Sequence, residues 1–450
     1  MSIEPPAGVT RALARYVVAS DFRQLAPEVV REGVRAVMHL VGCAIGGCRH
    51  ETIESAWRAF APFAGGPQAT LLGRPERTDI LHAALLNGIA SHVLDFDDTH
   101  STSLVHPSGP VVPAVLALAE WRPVSGAELI NAFVVGVEVE CRVSDVVSPS
   151  HYAMGWHATG TAGVFGAAAA SARLLGLTEQ QTVWALGIAA TQSAGLREMF
   201  GSMSKSLHPG RAAQNGLAAA LMAAQGYTSA EQGIEGKRGF AHVLSRKANL
   251  EAATRGLGET RAILDNTYKP FACGLVIHPV IDGCLQLRRK LAPQAADIRR
   301  IGLRVNPLVL ELTGKPTPTT GLEGKFSVFH SAAVALIDGT AGEAQYADAR
   351  VRSADVVALR SLVTATSDPA LRKESAEVAI ELADGSRHVV FVEDCLGSLA
   401  RPMTDAEMDA KFLALCDGAL RPDKARHALS TLRRLPDLQD AAEAARACAA

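Results

Sequence analysis

The sequence predicts a mainly α protein: a large all-helical domain with a smaller α+β domain inserted before the C-terminal helices. Three observations carry this. The 450 residues are 48% hydrophobic but only 5% aromatic, so the apolar content is mostly Ala, Leu and Val, which suits close-packed helices. From Val9 to about residue 264, apolar positions recur at helical spacing in almost every segment. After Lys269-Pro270 the pattern shifts toward alternating and β-branched runs. A chain this long also exceeds the size at which one core stops growing, so two domains are expected. Their expected limits are 1–266 completed by 399–450 for the helical domain, and 267–398 for the α+β domain.

Taken in order, TRALARYVVA, EVVREGVRAVMHLVGCAIGG, LHAALLNGIA, ELINAFVVGVEVECRVSDVV, TAGVFGAAAASARLLGL, TVWALGIAATQSAG and RAAQNGLAAALMAAQG read as helices. Thr178-Glu179-Gln180-Gln181 reads as a capping box for one of them, and Thr228-Ser229-Ala230-Glu231 as a second. The Ala- and Gly-rich faces let helices approach closely, which predicts a compact bundle with buried central helices. Beyond residue 298, IGLRVNP, VVALRSLVTATSD and EVAIELADGSRHVVFVEDC read as β segments, the last with a hairpin turn at Asp384-Gly385. Between them VIHPVIDGCLQLRRKLA and FSVFHSAAVALIDG are helical patterns. TDAEMDAKFLALCDGAL and KARHALSTLRRL return to amphipathic helix and are expected to pack back on the first domain.

Composition excludes several functions. A formal net charge of −2 gives no general pull toward nucleic acid or anionic membrane, so an anionic ligand must be held locally. Eight scattered cysteines without a CxxC pair read as reduced thiols, with no disulfide or zinc site. MSIEPPAGVTRALARYVV lacks a basic-then-apolar leader pattern, and no apolar run is long and unbroken enough to span a bilayer. A cytoplasmic protein is expected.

The chemistry concentrates in four stretches. In SHVLDFDDTH, Asp95, Asp97 and Asp98 crowd three carboxylates at the end of a helical pattern, where the macrodipole already disfavours negative charge. Such a cluster needs cations, donors or protons to compensate it. The loop that follows holds His106 before Pro107, a position biased to extended backbone that gives the ring a fixed direction. The cluster lacks the glycine and spacing of a calcium loop, and caps on the next helix would be its structural use. In GWHATGTAG, His157 stands at the expected N-terminus of a helix whose first turns are small, where free N–H groups can receive a carboxylate. The spacing fits no nucleotide-binding loop. SKSLHPGR places Lys205, His208 and Arg211 within seven positions, either facing inward toward the acids or a polycarboxylate, or as a solvated basic loop. YKPFAC places Lys269 at the expected domain boundary, where small-molecule clefts concentrate; Cys273 reads as a buried small apolar residue.

DFDDTH with HPSG, GWHATGTAGVFGAAAA, SKSLHPGRAAQNG and KPFACGLVIHPVIDG, in this order and spanning most of the chain, resemble the MmgE/PrpD family. That family includes 2-methylcitrate dehydratase, cis-aconitate decarboxylase and iminodisuccinate epimerase. The resemblance implies a helical domain with an inserted lid, a homodimer and usually no cofactor. It carries the decarboxylase-type site onto Asp95, Thr99, His106, His157, Lys205 and Lys269. Where decarboxylase-type members have a histidine five residues after the lysine, this chain has Gly274, and the stretch 312–318 has no tyrosine. The expected function is a cofactor-independent, metal-free lyase acting on a small di- or tricarboxylate, 2-methylcitrate dehydratase-like. A dicarboxylate epimerase and a cis-aconitate decarboxylase are the alternatives within the family, and a catalytically silent ligand-binding dimer lies outside it. In this reading His106 and His157 are acid and base, Asp95 and Thr99 set the histidine tautomer, and Lys205, Lys269 and His208 bind substrate carboxylates.

Overall fold

The computed structural model describes residues 8–450; the first seven, on which the leader reading and the start of the first domain partly fall, lie outside the described residues. The fold is mainly α. Its first part runs through α1 (Val9–Ala19), α2 (Pro27–Gly47), α3 (Glu51–Phe60), α4 (Ile80–Val93), α5 (Ser108–Trp121), α6 (Gly126–Val147), α7 (Ala158–Leu175), α8 (Glu179–Ala190) and α9 (Ser204–Ala224). No described helix is long and apolar enough to cross a membrane.

α7 is the central helix, buried from Ala158 through Ala172, and its first six residues, ATGTAG, are all small. That smallness lets α6 lie against it: a Cβ on Gly136 would come 2.8 Å from the Gly166 carbonyl oxygen. A second crossing matters more for the site. α4 and α9 meet at Gly88 and Gly210, where a Cβ on Gly210 would sit 2.4 Å from the Leu85 carbonyl oxygen. This contact brings the end of α4, and so the Asp95 turn, against the first turn of α9, which carries Lys205. The basic stretch read as helix or loop is therefore helical from Ser204, with Pro209 inside it.

Thr178 forms a capping box with Gln181 at the start of α8, as its sequence predicts. Thr228–Glu231 does not start a helix: the Ser229 hydroxyl donates to the Trp184 carbonyl instead, and residues 227–264 are mostly turns and short 3-10 segments.

The second part holds α10 (His278–Leu291), β1 (Ile298–Val305), α11 (Pro307–Thr313), α12 (Val328–Asp338), α13 (Ala354–Arg360), β2 (Val363–Ser367), β3 (Ala376–Leu382) and β4 (Arg387–Val392). The strands form one mixed sheet in the order β2-β1-β3-β4, with β1 and β2 parallel and the other pairs antiparallel. β3 and β4 make the expected hairpin, with Gly385 at φ +87° in its turn. VVALRSLVTATSD, read as one β segment, splits. Val356 and Leu359 bury one helical face of α13, and its Asp355 and Arg360 suit the dipole ends, so only Val363 onward joins the sheet.

α14 (Asp405–Cys416) and α15 (Pro422–Arg433) follow. Met408, Phe412 and Cys416 belong to the apolar cluster built on α2, α4, α5 and α6, and Phe412 lies over Gly42 of α2. A short antiparallel ribbon pairs Thr99–His100 with Asn266–Thr267, tying the loop after α4 to the segment that carries Lys269.

Candidate active site

At the end of α4 the chain turns through Asp95, whose φ of +51° is left-handed, a conformation only Asn, Asp and Gly adopt readily. The three carboxylates then diverge. Asp95 Oδ1 accepts from Lys205 Nζ at 2.5 Å and from Lys269 Nζ at 3.1 Å, and Lys269 also donates to the Asp95 carbonyl at 3.0 Å. Burial alone would raise the Asp95 pKa, but the two lysines outweigh it and hold the carboxyl well below its usual range. Burial lowers Lys205, offset only in part by Asp95; for Lys269, Asp95 and Asp97 outweigh burial and hold the ammonium above its usual value. The expectation that Asp95 sets a histidine tautomer is corrected here: its carboxylate is taken by the two lysines.

Asp97 serves the histidines instead. Its Oδ2 lies 2.7 Å from His92 Nδ1 and 3.6 Å from His106 Nδ1, and these rings outweigh burial to keep it ionised. His106 Nδ1 donates to the Asp98 carbonyl at 2.7 Å, with the Thr99 hydroxyl at 3.3 Å, which leaves Nε2 as the basic nitrogen. Burial pushes His106 down to about 3, so the ring is neutral at physiological pH. Asp98 accepts from Ser108 Oγ and Asn266 Nδ2, both at 2.6 Å, yet burial still raises it to about 7.

His157 is the N-cap residue of α7, as its sequence position suggests. Its Nδ1 shares a hydrogen bond with His208 Nδ1 at 2.8 Å, and burial, then His208, hold it well below its usual pKa. The His106 and His157 ring centres lie 6.1 Å apart.

A cavity of about 660 Å³ is lined by Asp95, Thr99, His106, His157, Lys205 and Lys269, so six of the seven residues expected from sequence share it. His208, expected to bind substrate, is not on its wall and hydrogen-bonds to His157 instead. Gly274 and Thr313 also line it. One ring nitrogen from each of His92, His106 and His157 lies within 4.8 Å of the others, and His92, Asp95 and Asp97 are similarly close, so either set has the spacing to hold a cation.

The sequence reading missed three groups. His92 sits beside His106 with ring centres 4.7 Å apart, and its position five residues before Asp97 was the available signal. Lys325 Nζ donates to the carbonyls of Leu94 at 2.5 Å and Ala272 at 2.9 Å, and Lys411 Nζ to those of Phe96 at 2.7 Å and Lys269 at 2.8 Å. These two buried lysines bind the backbone on either side of Asp95 to the segment carrying Lys269. Each comes from a distant helix or loop, so no local pattern announces them.

The titrations give a stability prediction. His106, lowered to about 3, adds stability as pH rises from about 3 toward its ordinary 6.5. Asp98, raised to about 7, does the opposite: its contribution is complete below its ordinary 3.8 and is lost as pH climbs through 7. Asp98→Asn keeps an oxygen to accept from Ser108 and Asn266 while removing the titration. Relative to wild type, this variant should gain stability between pH 4 and 7, which melts across that range would measure; a constant difference would contradict the assignment.

The MmgE/PrpD N-terminal domain model matches residues 11–253 and the MmgE/PrpD C-terminal domain model matches residues 271–437. Among curated relatives, the cis-aconitate decarboxylase of Homo sapiens is 26% identical, covering 96% of this chain and 92% of its own. That of Mus musculus is 26% identical over 96% and 91%, and that of Aspergillus terreus (strain NIH 2624 / FGSC A1156) is 26% identical over 91% and 89%. With both domain models matched in order, and with the motif residues gathered around one cavity, the chain belongs to the MmgE/PrpD family.

Proposed function

We propose that the chain is a lyase that acts on a small di- or tricarboxylate by moving a proton at a carbon next to a carboxylate, in the manner of 2-methylcitrate dehydratase. The observation that carries this reading is the buried pairing of Asp95 with Lys205 and Lys269 on the wall of a cavity that His106 and His157 share. An ammonium has three donors. Lys205 uses one on Asp95 and Lys269 uses two, so both retain N–H groups for a substrate carboxylate. Negative charge that develops on that carboxylate as the C–H bond breaks is then stabilised in a dry, pre-arranged site. His106 takes the proton on Nε2 while the Asp98 carbonyl and Asp97 hold the resulting imidazolium. The C–O bond of the neighbouring hydroxyl then breaks as the C=C bond forms, the imidazolium returns its proton to the leaving oxygen, and water and an alkene complete a dehydration.

The paired imidazoles favour a second reading. With the ring centres 6.1 Å apart, one neutral imidazole can take a proton from one face while the other, entering the cycle protonated, delivers its proton to the opposite face, which is epimerisation. Decarboxylation, the reaction named for the relatives, falls within the same class of carboxylate chemistry. His208 positions His157 in each case. The lysines supply the cationic charge, so the reaction is proposed to need no metal or other cofactor; metal found in stoichiometric amount, with activity lost to a chelator and restored by that ion, would contradict this. The protein is further proposed to be a cytoplasmic homodimer, in keeping with eight free, buried cysteines and a Gly- and Ala-rich helical body.

A screen of di- and tricarboxylates tests the function. Appearance of an ultraviolet-absorbing alkene identifies the lyase, inversion without alkene the epimerase, and binding with no change in any ligand would leave only a silent binder.

A further inference from the structure

The cavity contains more hydrocarbon and less net charge than a tricarboxylate site calls for. Four cations line it: Lys205, Lys269, Arg372 and Lys373. Three acids line it with them, Asp95, Glu374 and Asp394, and Asp97 stands just behind the histidines. The four cations thus outnumber the three lining acids by one. Lys205 and Lys269 share Asp95, Arg372 pairs with Asp394 at 3.0 Å, and Lys373 lies 3.6 Å from Glu374. With His106 and His157 neutral, the lining offers an excess of one positive charge, too little to balance a trianion.

One stretch of the remaining wall is apolar. Half-buried Leu275 and Val276 come from the turn after Gly274, half-buried Leu308 and Leu312 from α11, and buried Phe326 joins them. The lysine and histidine groups are buried and Arg372 is exposed, and Phe326, whose ring centre lies 5.2 Å from Lys205 Nζ, joins this wall to the buried charged end. A volume of about 660 Å³ falls in the range, roughly 300–1,000 Å³, of cavities that enclose drug-sized ligands. A six-carbon acid leaves most of such a space empty.

We propose that the cavity takes a dicarboxylate bearing a hydrocarbon arm, with its carboxylates at Lys205 and Lys269 and the arm against Leu275, Leu308 and Leu312. The proposal rests on the proton-transfer reading for what happens at the charged end, and it adds the chemical class of the other end. Burying each methylene of the arm should strengthen binding about fourfold until the wall is covered.

Calorimetric titration of the whole protein with succinate, methylsuccinate, butylsuccinate, hexylsuccinate and propane-1,2,3-tricarboxylate tests this. The expected result is a Kd that falls steadily from succinate to the butyl or hexyl member, with the tricarboxylate weaker than either. A flat series, or tightest binding by the tricarboxylate, would overturn the proposal. Leu312→Asn should flatten the slope of the series, since it places an amide where the arm lies; an unchanged slope, or a loss shared equally by succinate, would count against the assignment of that wall. Deuterium exchange into the same ligands separates this proposal from the one beneath it. A steep series without exchange removes the proton-transfer reading and leaves the binding class standing, whereas exchange with a flat series does the reverse.

Discussion

His106→Gln should lower kcat by roughly 10²–10⁴-fold while the protein melts as a folded chain, because it removes the one imidazole whose Nδ1 is committed to the Asp98 carbonyl and whose Nε2 is left basic. Gln can still donate to that carbonyl, so the local backbone keeps a partner. If the ring were only a buried hydrogen-bonding group, its loss would cost about 1–3 kcal/mol of stability and leave turnover nearly unchanged. Turnover and melting measured on the same preparation separate these outcomes. Lys205→Met should behave differently, acting chiefly through KM, since a carboxylate contact present in both the ground and transition states is what it removes. The alkaline limb of kcat/KM should fall below the ordinary lysine range, because burial lowers Lys205.

Asp95→Asn should be the most destabilising conservative change in the site, by about 3–5 kcal/mol, since it leaves two buried ammonium groups without their shared counter-charge. Asn is the right substitution because it tolerates the φ of +51° that Asp95 adopts, whereas Ala would add backbone strain to the loss of charge. The pH dependence identifies the cause. Without Asp95, the folded lysines should titrate below the ordinary 10.5, so the unfolded chain binds more protons in that interval and the variant should become more stable as pH rises toward 10.5. In the wild type, Lys269 is held above 10.5, and its contribution is lost only as pH climbs through that higher value. Melts of both proteins from pH 7 to 10 should therefore converge; parallel curves would mean that Asp95 acts through packing rather than charge.

Much of this site was legible because its residues lie in short, chemically odd stretches. Asp95 was conspicuous as a carboxylate at a helix end, and Lys205 as a cation in an apolar region. His157 could be placed at a helix start because small residues follow it. The partner of each group was harder to read. Nothing local says that Asp95 faces lysines 110 and 174 positions away while Asp97 takes the histidines. Lys325 and Lys411 were invisible for the same reason, since burying a lysine against backbone carbonyls is decided by tertiary packing. The fold shows the same division. Periodicity found α2, α6 and α7 to within a few residues, but α13 was read as strand because its valines have β propensity, and the buried face formed by Val356 and Leu359 overrode it.

The central claim is that His106 moves a proton at carbon while Lys205 and Lys269 hold the neighbouring carboxylate. Proton NMR in D₂O of a bound dicarboxylate, with wild type and with His106→Gln at equal folded concentration, tests it most directly. The account predicts that the C–H signal next to the carboxylate disappears with wild type and persists, slowed at least a hundredfold (~10²), with the variant. Equal exchange by both proteins, or no exchange by the wild type on any dicarboxylate that it binds, would contradict it.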